Sequence, residues 1–134
     1  EEADINPVYA SSFEGFLYEP SVAVLKAGAF KSVGHRYGLS KLHPNSHLYV
    51  SKELVAHFPG RCFKINNVCS FSKKDLKKCV GGAVKANLTV RNFPATVAEL
   101  RKRLKLAEGG DAYWFATTLY DESHCLIMCE KCAY

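Results

Sequence analysis

The sequence predicts an α+β protein, a two-layer α/β sandwich resting on a mostly antiparallel sheet. Three observations carry that expectation. Segments with period-two alternation of apolar and polar residues stand between segments with helical spacing. Two of the helical segments open on a capping signature. The end of the chain reads as a β-hairpin. At 134 residues, 48% apolar and 23% charged, the chain suits one domain or one domain with a small appendage. It is long enough to bury a real core.

The elements follow in order. Asn6 to Glu19 is rich in aromatics (Tyr9, Phe13, Phe16, Tyr18), holds the first strand and ends at Pro20. Ser21 can cap a helix reaching about Tyr37, stopped by Gly38, with Val22, Leu25, Ala29 and Val33 on one face. Pro44-Asn45 makes a turn before a short strand at His47-Leu48-Tyr49-Val50, and Phe58-Pro59-Gly60 makes another. Arg61 to Phe71 reads as a strand in which Cys62, Lys64 and Asn66 alternate with Phe63 and Ile65. Ser72-x-x-Asp75 opens a helix to about Val80, ended by Gly81-Gly82.

Ala86 to Phe93 is a further strand, with Leu88 and Val90 alternating against Asn87, Thr89 and Arg91. Thr96-x-x-Glu99 is a cleaner capping box. Its helix has Val97, Leu100 and Leu104 inside and Arg101, Lys102, Arg103 and Lys105 outside. Ala112 to Tyr120 and Cys125 to Glu130 form the hairpin around Asp121-Glu122-Ser123. The order β-α-β, then β-α-β-α-β-β, suits a ferredoxin-like arrangement.

The net charge of +5 is unevenly spread. Residues 61–105 hold twelve Lys and Arg against Asp75 and Glu99, a net of +10. The flanks are close to neutral or acidic. Such a block points to an anionic partner, or to two solvated helix faces that are merely rich in Lys. No apolar run reaches the ~18 residues of a membrane span, so no membrane contact is expected. Glu1-Glu2-Ala3-Asp4 is no secretion signal and carries no initiator Met, so the chain reads as a piece of a longer protein.

Cys62, Cys69, Cys79, Cys125, Cys129 and Cys132 lie in the second half in apolar surroundings. Without a secretion signal they read as reduced thiols of a cytoplasmic protein. Cys129-Glu130-Lys131-Cys132 is a C-x-x-C, but the second knuckle of a zinc site is missing. In a strand, Cys125 and Cys129 share one face and His124 takes the other, so packing is the reading and no metal is expected.

Chemistry is sparse elsewhere. Asn6-Pro7-Val8-Tyr9 has the form that many amino-group methyltransferases use to hold a target nitrogen, but those enzymes need a glycine-rich cofactor loop upstream. The segment reads as a turn into the first strand. His43-x-x-x-His47 could pair on a helix, but Pro44 disfavours a helix there. Asp75, Glu99 and Asp111 serve as caps and turn residues, so no catalytic residue is assigned.

The nucleic-acid signal is better. Asn87, Thr89 and Arg91 are expected to line a face beside the Lys- and Arg-rich helices. Arg91-Asn92-Phe93-Pro94 adds a forked phosphate donor, an amide, an aromatic plane and a rigid turn. The plainer reading is that Phe93 and Pro94 pack the helix entry while Arg91 pairs with an acid.

Arg91-Asn92-Phe93-Pro94, Val97-Ala98-Glu99-Leu100-Arg101-Lys102-Arg103-Leu104 and Gly109-Gly110-Asp111-Ala112-Tyr113-Trp114-Phe115-Ala116-Thr117-Thr118 together resemble a THUMP-like domain. That domain closes a family of bacterial class I S-adenosylmethionine-dependent methyltransferases. Upstream, Tyr18-Glu19-Pro20, Lys26-Ala27-Gly28, Lys41-Leu42-His43-Pro44-Asn45-Ser46-His47-Leu48-Tyr49 and Phe58-Pro59-Gly60-Arg61 are similar to the ferredoxin-like element preceding it. The resemblance implies a ferredoxin-like element over residues 1–57 and a THUMP-like domain over 58–134, or both as one unit. It implies a methyltransferase domain upstream as partner, with S-adenosylmethionine bound there and no cofactor in this chain. THUMP domains hold RNA for modifying enzymes, so RNA is the implied partner of the basic block. Arg91, Asn92, Lys73, Lys74, Lys77, Lys78, Arg101, Arg103 and Lys105 are the expected contacts. The alternative is a structural docking module with Phe13, Phe16 and Tyr18 as apolar anchors.

Overall fold

The computed structural model describes residues 2–132. Its strands are β1 (Phe16–Pro20), β2 (Ser40–His43), β3 (Ser46–Ser51), β4 (Gly60–Ser70), β5 (Asn87–Arg91), β6 (Ala112–Thr118) and β7 (His124–Lys131). Its helices are α1 (Val22–Lys26), α2 (Phe30–Tyr37), α3 (Lys73–Val80) and α4 (Val97–Leu104). The strands form one seven-stranded sheet in the order β2-β3-β1-β4-β7-β6-β5. Only the β5–β6 pair is parallel, with α4 as its crossover; the other neighbours run antiparallel. The protein is α+β, and β1 pairs along β4, so the sheet runs unbroken past residue 57.

Helices cover one face. Beneath α2, Val33 and Leu39 pack with Tyr18, Tyr49, Phe58 and Cys62. Beneath α3 and α4, Leu76 and Leu100 pack with Leu88, Trp114, Leu126 and Met128. On the opposite face Leu17, Leu48, Phe63, Phe115 and Ile127 meet one another, with Phe13 laid against them. Among the described residues no helix covers that face. The sheet instead coils until the β2–β3 hairpin and the end of β1 reach the ends of β5 and β6. Ser46 Oγ donates to Thr118 O at 2.7 Å, and Asn92 Nδ2 donates to Ser46 Oγ at 3.0 Å.

Four expectations change. The single helix from Ser21 breaks into α1 and α2 at Ala27-Gly28-Ala29, where Gly28 has a φ of +67°. That left-handed turn ends α1, and Val22 is left 65% exposed while Val33 is buried. α2 has no cap of its own, because its N-cap is Ala29. The Glu2 carboxylate supplies one, accepting from Lys31 N at 2.6 Å, Ser32 N at 2.9 Å and Ser32 Oγ.

Ser40–His43 is a strand that alternation does not betray, because Lys41, Leu42 and His43 are all buried. In β4 the alternation is interrupted: Ile65 pairs with Cys129 but Asn67 with Met128, so Asn66 is a bulge. The extra residue moves Cys69 to the helix-covered face and Val68 to the other. Finally, Phe13, Phe16 and Tyr18 pack in or against the cores, with Tyr18 fully buried, so they are not free as anchors.

In β7, Cys125 and Cys129 point into the coiled face while His124 lies on the side of Leu126 and Met128. Cys132 Sγ lies 3.2 Å from Cys62 Sγ, with no disulfide bond between described cysteines. Among the described residues no three His, Cys, Asp or Glu side chains converge as a metal site, and no helix is long and apolar enough to cross a membrane.

Candidate nucleic-acid interface

The first turns of α3 and α4 consume their own acids. Asp75 N donates to Ser72 Oγ at 3.2 Å, and the Asp75 carboxylate accepts from Ser70 Oγ at 2.5 Å. Thr96 and Glu99 form the full reciprocal box, each side chain accepting the other's backbone N–H at 3.1 Å. The remaining turns carry the cations. The i, i+4 spacing puts Lys73 and Lys77 on one flank of α3. Arg103 lies in the last turn of α4, and Lys105 is its left-handed C-cap at φ +57°.

These side chains line one groove of about 520 Å³ between the helices, with Leu76, Val80 and Leu104 as its apolar lining. Among the described residues no carboxylate lines it. The ion pairs among the described residues are Arg61–Glu19 and Arg91–Glu19, with His43 hydrogen-bonded to Glu122, so none of Lys73, Lys77, Arg103 and Lys105 is neutralised by a described partner. Arg103 Cζ stands 5.4 Å from the centre of the Phe71 ring. Four cations over an apolar lining can hold a row of phosphates or other anions while stems and rings cover the sugars or apolar groups.

The other expected contacts lie elsewhere. Lys74 and Lys78 are exposed on α3 but do not line the groove. Arg101 does not point outward: it is half-buried, and Nη1 donates to Ala86 O at 3.2 Å and Leu106 O at 3.5 Å, tying α4 to the strand entry. Leu88 and Val90 pack towards α3 and α4, so Asn87, Thr89 and Arg91 face the opposite side from the basic helices. Period-two geometry forbids both sets from sharing a face. Asn87 Nδ2 donates to Gly110 O and Ala112 O, at 2.9 and 3.1 Å. Arg91 Nη2 meets Glu19 Oε2 at 3.0 Å.

Asn92 belongs to a second concavity, a polar cleft of about 570 Å³ where the β2–β3 turn meets the ends of β5 and β6. His43 is buried at its edge and donates from Nε2 to Glu122 Oε1 at 2.6 Å. Its Nδ1 accepts from the Asn45 backbone N–H at 3.0 Å, which fixes that tautomer. Thr118 Oγ1 donates to Asn92 O at 2.5 Å. Phe93, Pro94 and His124 complete the wall. Sequence reading finds Asn92 but misses His43, Asn45, Glu122 and His124, because His43 and Glu122 are 79 residues apart and only the coiling of the sheet joins them.

A basic pair lies behind the hairpin, Lys41 buried and His47 half-buried. Lys41 Nζ donates to His43 O at 3.0 Å and Pro44 O at 2.6 Å, and lies 3.0 Å from His47 Nδ1. Burial pulls the Lys41 ammonium down to about 8. Burial first, and the Lys41 charge second, pull the His47 imidazole down to about 4. His47 stacks on Phe30 at 3.6 Å. The three contacts of the ammonium tie the hairpin together.

Comparison with known proteins agrees with this layout. Residues 60–131 match the model of a THUMP domain-like family, and residues 16–59 match that of a ferredoxin-like domain. A solved structure, described as that of a "putative methyltransferase" from Porphyromonas gingivalis W83, is 42% identical over 98% of this chain, with a TM-score of 0.91. The chain spans 33% of that protein's length. No curated protein matches the sequence.

Proposed function

As the chain belongs to the THUMP domain-like family, we propose that it is the non-catalytic, substrate-recognition module of an S-adenosylmethionine-dependent methyltransferase, and that it holds structured RNA by its phosphates. One observation carries the RNA reading: Lys73, Lys77, Arg103 and Lys105 line a single groove and no described carboxylate neutralises them. The methyltransferase reading is supported by the likeness to the Porphyromonas gingivalis protein, of which this chain corresponds to one third.

The described residues do not fit an S-adenosylmethionine site. Such a site needs a glycine-rich turn that opens a helix after a strand. Here Gly81 caps the end of α3, and Gly109-Gly110 lies between α4 and β6. Cofactor and methyl transfer are therefore assigned to the catalytic domain of the parent protein, which is the proposed intramolecular partner. The work of this module is to supply phosphate affinity and to orient the substrate.

The test is a filter-binding series with a hairpin RNA over increasing salt. The expected result is a linear fall of log K against log salt, with a slope set by the phosphates engaged. No affinity at low salt, or a flat series, overturns the reading.

A further inference from the structure

The basic groove and the polar cleft are joined by a row of π faces. Arg103, on the groove, stands 5.4 Å from the Phe71 ring centre. Phe71 lies 4.8 Å from Phe93, and Phe93 lies 5.3 Å from His124, edge to face. Phe93 and His124 both line the cleft. The row begins in the groove and ends in the cleft. Phe71 and Phe93 are half-buried against the core beneath α3 and α4 and His124 is exposed, so His124 and the rim of Phe93 are the ring surface open to an unstacked base.

The cleft is equipped for the edge of a base. Its volume of about 570 Å³ falls in the range of small-ligand sites. Glu122 is anchored by His43 yet its side chain is 72% exposed, so its remaining lone pairs face solvent. Asn45 is exposed on the neighbouring turn, and its carboxamide offers a donor and an acceptor. One bordering residue holds a costly backbone: Glu122 has a φ of +70°, whereas Asn92, at +54°, is of a type that adopts this region readily. Non-glycine residues in that region persist where the surrounding structure over-determines them, and they cluster at ligand sites.

We infer that this cleft takes the base of one unpaired nucleotide, stacked against Phe93 and His124 and held at its edge by Glu122 and Asn45. The inference deepens the RNA reading and rests on it for the strand that delivers the base. A carboxylate accepts from guanine twice, at N1–H and N2–H, whereas adenine, cytosine and uracil each offer it a single edge donor, so guanine is favoured. Glu122 and Asn45 are specificity-determining groups and carry no step of methyl transfer.

The cleft can be tested apart from the groove. The histidine ring resonances of the whole chain are followed by NMR while guanosine, adenosine, cytidine and uridine are added. The expected result is a shift of His124 and His43 that is largest with guanosine. Asn45→Ala, at an exposed turn, weakens that binding by about fivefold or more; Glu122→Gln does the same. Silence of both histidines with all four nucleosides overturns the inference, as does binding unchanged in Asn45→Ala. A second arm compares a short single-stranded RNA with an abasic strand of equal length. Tighter binding of the base-bearing strand supports delivery of the base to His124 and the rim of Phe93. Equal binding overturns the base cleft and leaves the groove intact. If neither strand binds while a nucleoside still shifts His124, the groove reading fails and the cleft stands as a site for a free nucleoside.

Discussion

Glu19 and Arg91 meet at 3.0 Å, the carboxylate of the first strand against the guanidinium at the end of the fifth. The Glu19 side chain is 8% exposed and also accepts from Arg61 Nε at 3.1 Å and Nη2 at 2.5 Å. Its Oε2 has an ionic neighbour in Arg91 but no aligned hydrogen bond. The carboxylate therefore fastens β1 to β4 within the sheet and to β5 across the coil. Replacing Arg91 by Gln removes one of its two cations. The guanidinium is 44% exposed, so the expected cost is about 1 kcal/mol or less, read as a lower midpoint in urea. The salt slope of RNA binding should stay unchanged, because Arg91 faces away from the α3–α4 groove. A reduced slope with unchanged stability would return Arg91 to the phosphate contacts.

Lys77 and Arg103 should behave in the opposite way. Both side chains line the groove without a described acidic partner, and Lys77 is exposed. Lys77→Glu and Arg103→Glu should each lower the slope of log K against log salt by at least about 0.7–0.9, the value of one phosphate contact. Unfolding by urea should move little for Lys77→Glu, since a surface substitution of this kind is worth about 0.5 kcal/mol or less. Arg103→Glu also loses the contact with Phe71, so its stability falls somewhat further. Unaltered RNA affinity in both variants would favour a structural docking role.

Local signals and long-range closure differ in how they can be read. The capping residues Ser72, Thr96 and Glu99 announce α3 and α4 because caps are contacts between residues three apart. The alternation of Leu88 and Val90 announces β5, but not which face the helices would cover, so Arg91 was expected beside them. Ser40–His43 hides because both sides of β2 are buried, which removes the polar half of the alternation. The bulge at Asn66 carries no local mark; its partner register does. The groove was legible as charge, since its bases cluster in sequence. The cleft was not, because His43, Asn92 and Glu122 come together only when the sheet coils.

Glu2 caps α2 from outside the helix, in a 3-10 turn at Glu2–Asp4. The helix has eight residues and an alanine at its own N-cap, so this carboxylate answers backbone donors that nothing else in the segment reaches. Burial raises the Glu2 pKa, but the bonds from Ser32 and Lys31 prevail and leave it below the usual carboxylate value. Glu2→Ala should cost about 1 kcal/mol, as loss of an N-cap does. Thermal unfolding read by circular dichroism measures it. Glu2→Gln should recover part of the loss, since its amide oxygen still accepts.

His47 makes the fold sensitive to acid, and the sign is determined by its direction of shift. Burial, and then the charge of Lys41, lower its pKa from 6.5 to about 4 in the folded chain. Between those values the unfolded chain binds a proton that the folded chain refuses, so stability rises with pH across that window. The contribution is complete above pH 6.5 and is lost as pH falls to about 4. Protonation sets a second cation 3.0 Å from Lys41 Nζ, in place of an acceptor. His47→Gln keeps an acceptor without the titration. Urea unfolding at pH 7 and pH 4.5 should show a smaller difference in the variant than in the parent. Equal differences would place the acid sensitivity in the carboxylates instead. Lys41 acts with the same sign in alkali: its pKa falls from 10.5 to about 8, so stability rises across that interval and His47→Gln leaves this limb in place.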